Sequence, residues 1–286
     1  MSQSPPAQPS SPSRSAASSD SLGGLASSVQ AGTAPVEWSN DDLPADANED
    51  SRAKFWWRHI RVPLVIFAIL APFFAFTHAD LRIAHALFFN SARGAWIGNG
   101  SWWTNQFIHG GGTWFVRTLV LIAFAIAAWG SFDARLKEWR RPALYFAVAV
   151  ILSVGSIGAL KTVTNKDCPR DLTEFGGEHA YVPLFAHRPP ELRDARCFPA
   201  AHASAGYALL ALYFMLRGRN RRWGRAGLAI GVLTGLIFGI SQQSRGAHFI
   251  SHDVWSAFIV WTVALSTYVA FFRARLWSGS AEASAR

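Results

Sequence analysis

The sequence predicts an all-α, polytopic membrane fold of six transmembrane helices, with a long non-cytoplasmic loop between helices three and four. Three observations carry this. Half of the 286 residues are hydrophobic and only 16% are charged. Several windows of about 18–22 residues are almost free of charge, which is long enough to cross a bilayer core. Lysine and arginine gather in the short connections between those windows, where they set orientation.

Residues 1–54 are rich in Ser, Ala, Pro, Gln and Asp, show no apolar period and read as a disordered cytoplasmic tail. They lack the charged start and apolar stretch of a signal peptide. Residues 55–275 form the six-helix membrane domain, with spans at roughly 62–79, 114–132, 143–161, 199–217, 225–243 and 251–272. Trp56, Trp57, Trp102, Trp103, Trp139 and Trp223 fall near predicted span edges, as interfacial aromatics do. Residues 80–112 read as a mixed aromatic connection with room for a short interfacial helix. Residues 276–286 read as a second short tail.

Lys54, Arg58 and Arg61 precede the first span, and Arg135, Lys137, Arg140 and Arg141 join the second to the third. Arg217, Arg219, Arg221, Arg222 and Arg225 join the fourth to the fifth, and Arg273 and Arg275 follow the sixth. With six crossings these all lie on one face. Both termini are then cytoplasmic, and the 162–198 connection and the 244–250 turn meet on the opposite face.

Seven acids against three bases give residues 1–54 a net charge of −4, so the remainder carries +13 of the overall +9. A basic chain can signal nucleic-acid binding. Here the cations sit beside apolar windows, so the bilayer and its anionic headgroups are the expected partners, with no nucleic acid. The only two cysteines, Cys168 and Cys197, lie in the loop assigned to the exported face, where a disulfide is permitted.

Three clusters sit where apolar stretches meet polar loops: Lys161-Thr-Val-Thr-Asn-Lys-Asp-Cys-Pro-Arg170, Phe198-Pro-Ala-Ala-His-Ala-Ser204, and Ser244-Arg-Gly-Ala-His-Phe-Ile-Ser-His-Asp253. Phosphoryl transfer needs cations on the equatorial oxygens, an in-line nucleophile and an acid for the leaving oxygen. Arginine offers a bidentate fork and lysine a point charge. A histidine can be the nucleophile and a second the acid. Lys161, Arg170, Arg245, His202 and His248 cover these roles. His248 and His252, four apart, could also begin a zinc site, but only Asp253 or His202 offers a third ligand. No metal or other cofactor is expected. Arg188 and Arg196 read as solvated loop charges, and His179 and His187 as loop surface.

These clusters resemble the membrane-bound type 2 phosphatidic acid phosphatases, related to soluble bacterial acid phosphatases and vanadium haloperoxidases. The family pattern is K-x6-R-P, then P-S-G-H, then S-R-x5-H-x3-D on a six-span core, and the resemblance covers about residues 56–272. Lys161 matches, but Cys168 stands at the arginine position and Arg170 follows two places on. Pro199 and His202 match, with Ala200 and Ala201 replacing the Ser and Gly; Ser204 is the nearest hydroxyl. His248 aligns as the nucleophile, Ser241 as the Ser, and Gln242 replaces the Arg, for which Arg245 is the nearest substitute.

The expected acid position is His252, with Asp253 next. On a helix position +4 lies about 40° from the nucleophile and +5 about 140° away. Asp253 is expected to orient His248 through a local distortion, His252 being the alternative. The resemblance implies a metal-independent lipid phosphate phosphatase working through a phosphohistidine on His248. Its site would face the periplasm at a bacterial inner membrane. A phosphotransferase to a lipid acceptor and an inactive membrane interaction module are the alternatives.

Overall fold

The computed structural model describes residues 49–277 apart from 190 and 193. Of the two expected tails, residues 1–48 and 278–286 lie outside the described residues. Helix α1 (Glu49–Trp56) already occupies the end of the first, and runs through one wide turn at Trp57–Arg61 into α2 (Val62–Phe76). Pro63 fits the opening turn of α2, where its missing N–H costs nothing, and extended Thr77 closes the helix.

The 80–112 connection is built rather than irregular. It holds α3 (Ala79–Leu87), a small hairpin pairing β1 (Phe89–Asn90) with β2 (Ala95–Trp96), and a wide-turned helical segment Trp103–Gly111 that continues into α4 (Gly112–Trp129). Helix α5 (Lys137–Thr164) ends at Asn165, whose φ of 44° turns the chain, a conformation asparagine tolerates. Helices α6 (Ala201–Tyr207) and α7 (Ala211–Arg217) are joined by a tight turn at Ala208–Leu210. Helices α8 (Arg221–Gln243) and α9 (Ile250–Trp277) complete the chain.

Five helical stretches are long and apolar enough to cross a membrane: Ala53–Phe76, Trp103–Trp129, Lys137–Asp171, Arg221–Gln243 and Ile250–Phe272. The expected fourth span runs helically from Ala201 to Arg217, tightening at Ala208–Leu210, and is too short to count among them. It is instead the most enclosed stretch, with Ala203, Ser204, Ala208, Leu209 and Ala211 fully buried. Alanine-rich sequence makes this possible, since small side chains let α5, α8 and α9 approach it closely. On α8, a side chain at Gly231 or Gly235 would collide with the Leu210 backbone or the Tyr207 ring.

Tyr145, Ile157, Leu209, Phe214 and Val260 form the interior. Val65, Ile69, Trp114, Leu121 and Leu233 point outward, the inside-out apolarity a lipid-facing bundle needs.

Candidate active site

All three clusters lie at one end of the bundle, and backbone bonds draw them together. Asn165 turns the chain after Lys161, and the Arg170 N–H then donates to the Gly246 carbonyl at 2.9 Å, joining the first cluster to the third. Gly246 adopts a φ of +64° and lies against Trp96, so a side chain there would strike the indole. The Gly98 N–H donates to the Ser244 carbonyl at 2.8 Å, so the 80–112 hairpin braces the same turn.

Cys168 and Cys197 are bonded to each other across a sequence separation of 29, tying the first cluster to the second. The Cys197 N–H donates to the Lys166 carbonyl at 3.0 Å, and the Thr164 hydroxyl to the Phe198 carbonyl. The Ser256 hydroxyl donates to the Ala200 carbonyl at 3.1 Å, fastening the second cluster to α9.

His248 and His252 meet with Nδ1 atoms 3.4 Å apart, both buried. The backbone carbonyl of Cys197 engages both rings. His248 is held well below the ordinary histidine range, first by burial and then by the charges of His252, Lys161 and His202, against the Cys197 carbonyl. A neutral imidazole is what a nucleophile at this position requires. The contact with His252 is made through Nδ1, so Nε2 is not part of it.

Among the described residues Asp253 is not hydrogen-bonded to His248, the partner it was expected to orient. His248 lies two residues before α9, and the helix opens with a tightened turn in which the His252 N–H donates to the Phe249 carbonyl at 3.2 Å. The Asp253 carboxylate lies beside Gly239 and accepts from Gln243 Nε2 at 2.6 Å. His252 occupies the position beside His248. Ser204 is also displaced from its expected role: it is fully buried, and its hydroxyl donates to the Ala201 carbonyl at 2.7 Å.

His202 Nε2 lies 3.2 Å from the Ile108 carbonyl, and its ring stacks on Phe238. Lys161 is half-buried and close enough for its charge to act on both His248 and His252. Arg170 and Arg245 are neighbours. Burial first, then the Arg170 guanidinium, pushes Arg245 below the ordinary guanidinium range. Arg245 Nη1 is buried with no hydrogen-bond partner. Two adjacent cations with an unsatisfied buried donor make a place for an anion. Gln242 is buried at the end of α8, where its carbonyl accepts the Ala247 N–H at 2.9 Å.

The loop contradicts its reading as solvated charge. Arg188 is buried in a forked ion pair with Asp167, Nε–Oδ2 2.6 Å and Nη2–Oδ1 2.7 Å. His179 Nδ1 lies 2.7 Å from Asp167 Oδ1. Lys166 Nζ donates to the Pro183 and Ala186 carbonyls. Arg196 and His187 are exposed as expected. A near-neutral loop charge balance was the only sequence signal for this network. Asp80, buried in α3, was missed altogether; among the described residues it lines a small cavity together with His252, Lys166, Asp167 and Tyr181. No group of three His, Cys, Asp or Glu side chains is placed to hold a metal ion among the described residues.

A helical bundle of membrane-length helices, with a histidine pair and clustered cations at one end, defines a class of membrane-embedded site. Residues 142–276 match the family model of the PAP2 superfamily. Members of that superfamily are phosphatases, and the match is consistent with a phosphatase of that kind. No curated protein and no solved structure matches it significantly.

Proposed function

We propose that this protein is a lipid phosphate phosphatase, with His248 as nucleophile, His202 as acid and then base, and Lys161, Arg170 and Arg245 holding the phosphate. The observation that supports this most is the buried His248–His252 contact, in which a neutral His248 engages its partner through Nδ1 within range of the Lys161 charge. Nε2 attacks phosphorus as the ester P–O bond breaks, and His202 gives the leaving oxygen its proton. Water then attacks the phosphohistidine, with His202 taking its proton, and His248 is released.

In this reading the Ala201–Arg217 segment is the sixth crossing, enclosed by the other five. The basic connections 135–141 and 217–225 face the cytoplasm, and the site faces the periplasm of a bacterial inner membrane. The Cys168–Cys197 bond at the site end accords with an oxidising compartment. The substrate is a phosphorylated lipid, drawn from phospholipid, isoprenyl phosphate or lipid A types. His252 replaces the carboxylate behind the nucleophile, so the mechanism does not depend on Asp253.

The test is phosphate release by detergent-purified protein from a panel of these lipids, with EDTA present, beside His248→Ala. Release that survives EDTA and vanishes in the variant supports the reading. Loss with EDTA would replace it with a metal-dependent reaction. Transfer to a lipid acceptor rather than water would make the protein a phosphotransferase using the same residues.

A further inference from the structure

Among the described residues no carboxylate is hydrogen-bonded to the histidine pair, and Asp253 accepts from Gln243 instead. A histidine that takes a phosphoryl group gains positive charge on its ring, and a nearby carboxylate normally balances that charge. Two other buried acids lie at this end of α9, Asp167, which is paired with Arg188 and His179, and Asp80. Asp80, 5% exposed on α3, accepts the Ser251 N–H at 3.1 Å, one residue before His252. It thus satisfies an amide of the first turn of α9, which the helix itself cannot pair. Asp80 and His252 line one small cavity, so no packed side chain fills the space they share.

We propose that Asp80 is a positioning residue for the reaction, fixing the start of α9 so that His252 meets His248 and supplying the counter-charge when His248 is phosphorylated. Burial raises Asp80 to about 6, and its bonds to Ser251 oppose this. The carboxylate is therefore ionised at neutral pH while staying sensitive to mild acid. The groups facing it are Ser251, His252 and Asp253 from α9, and Lys166, Asp167 and Tyr181 from the loop that follows α5. Lys166 and Asp167 are engaged elsewhere, by the Pro183 and Ala186 carbonyls and by Arg188 and His179. That leaves Asp80 as the acid in this cavity without an ion-pair partner among the described residues.

The kinetic arm of the test rests on the phosphohistidine reading; the spectroscopic arm does not. Asp80→Asn keeps an oxygen for the Ser251 N–H and removes only the charge. It should lower kcat by about tenfold or more with KM little changed, and abolish the acid limb of the pH profile near 6. Asp80→Glu should restore part of kcat. An Asp80→Asn enzyme with wild-type kcat and pH profile would overturn the proposal. Should Asp80→Asn fail to fold, Asp80→Ser retains a capping oxygen and serves the same comparison.

Independently of turnover, nitrogen-15 histidine spectra of the detergent-solubilised protein follow the coupled His248–His252 titration. Asp80→Asn should shift its midpoint to lower pH, since a balancing negative charge has gone. An unmoved midpoint would sink the counter-charge role even if the preparation hydrolysed no lipid tested. A moved midpoint in an inactive protein would instead support it while removing the phosphatase reading.

Discussion

His248 Nδ1 and His252 Nδ1 lie 3.4 Å apart, and both rings engage the backbone carbonyl of Cys197. The pair is thus assembled from α9 and from the loop that the Cys168–Cys197 bond ties down. Where a carboxylate is expected, a second imidazole stands. This relationship orders the consequences of substitution.

His252→Ala should lower kcat by about 10²–10⁴-fold, the range for positioned proton-transfer groups, with KM little affected. Asp253→Asn should leave kcat near wild type, because an amide oxygen can still accept from Gln243. Steady-state kinetics on one lipid phosphate compares the two. The reverse order of effects would return the orienting role to Asp253.

Cys168→Ser or Cys197→Ser should destabilise the fold by ~3–4 kcal/mol, from the chain entropy of a closed loop of this length. Turnover should fall further than stability alone explains, because the Cys197 carbonyl holds both histidines. Thermal unfolding in detergent, with phosphate release measured well below the transition, separates the two effects.

Arg245→Ala should reduce kcat/KM by about 10–100-fold, matching loss of one charge-assisted hydrogen bond to phosphate. Arg245→Lys should recover little, because an ammonium cannot reproduce the guanidinium fork. Inorganic phosphate, tested as a competitive inhibitor, should bind the alanine variant more weakly.

Arg188→Ala leaves Asp167 buried beside His179 alone, and breaking such a pair should cost about 3 kcal/mol. The 162–198 loop would loosen first, so limited proteolysis should cut there before the helices unfold. Equal protease resistance in the variant and the wild type would count against the network as the loop's anchor.

The Asp80 linkage has a definite sign. Its folded-state value, about 6, lies above the ordinary carboxylate value near 3.8. Its contribution to stability is fully present below about 4 and is lost as pH rises through 6. Comparing thermal unfolding of wild type and Asp80→Asn across this window should show wild type losing ground as pH rises. A constant difference from pH 4 to 8 would mean that Asp80 is not buried in solution.

Hydrophobic windows and the placement of cations pointed to a helical chain with membrane-length helices, and the order of the three clusters pointed to the superfamily whose model matches residues 142–276. These features are local: a charge-free window or a Lys161 beside an apolar run is legible wherever the chain goes. The roles of single residues were not. Whether His252 or Asp253 backs His248 depends on how α9 starts, where the Ser251 N–H donates to Asp80, more than 160 residues away in the chain. Arg188 looked like a solvated charge because its partner, Asp167, lies 21 residues back across an irregular loop. The small residues of the fourth expected span read as an ordinary crossing; the bundle made it the enclosed centre. Sequence period reports which residues shun water, because burial acts on each side chain alone. Pairing depends on direction and distance between segments, so only the tertiary structure decided it.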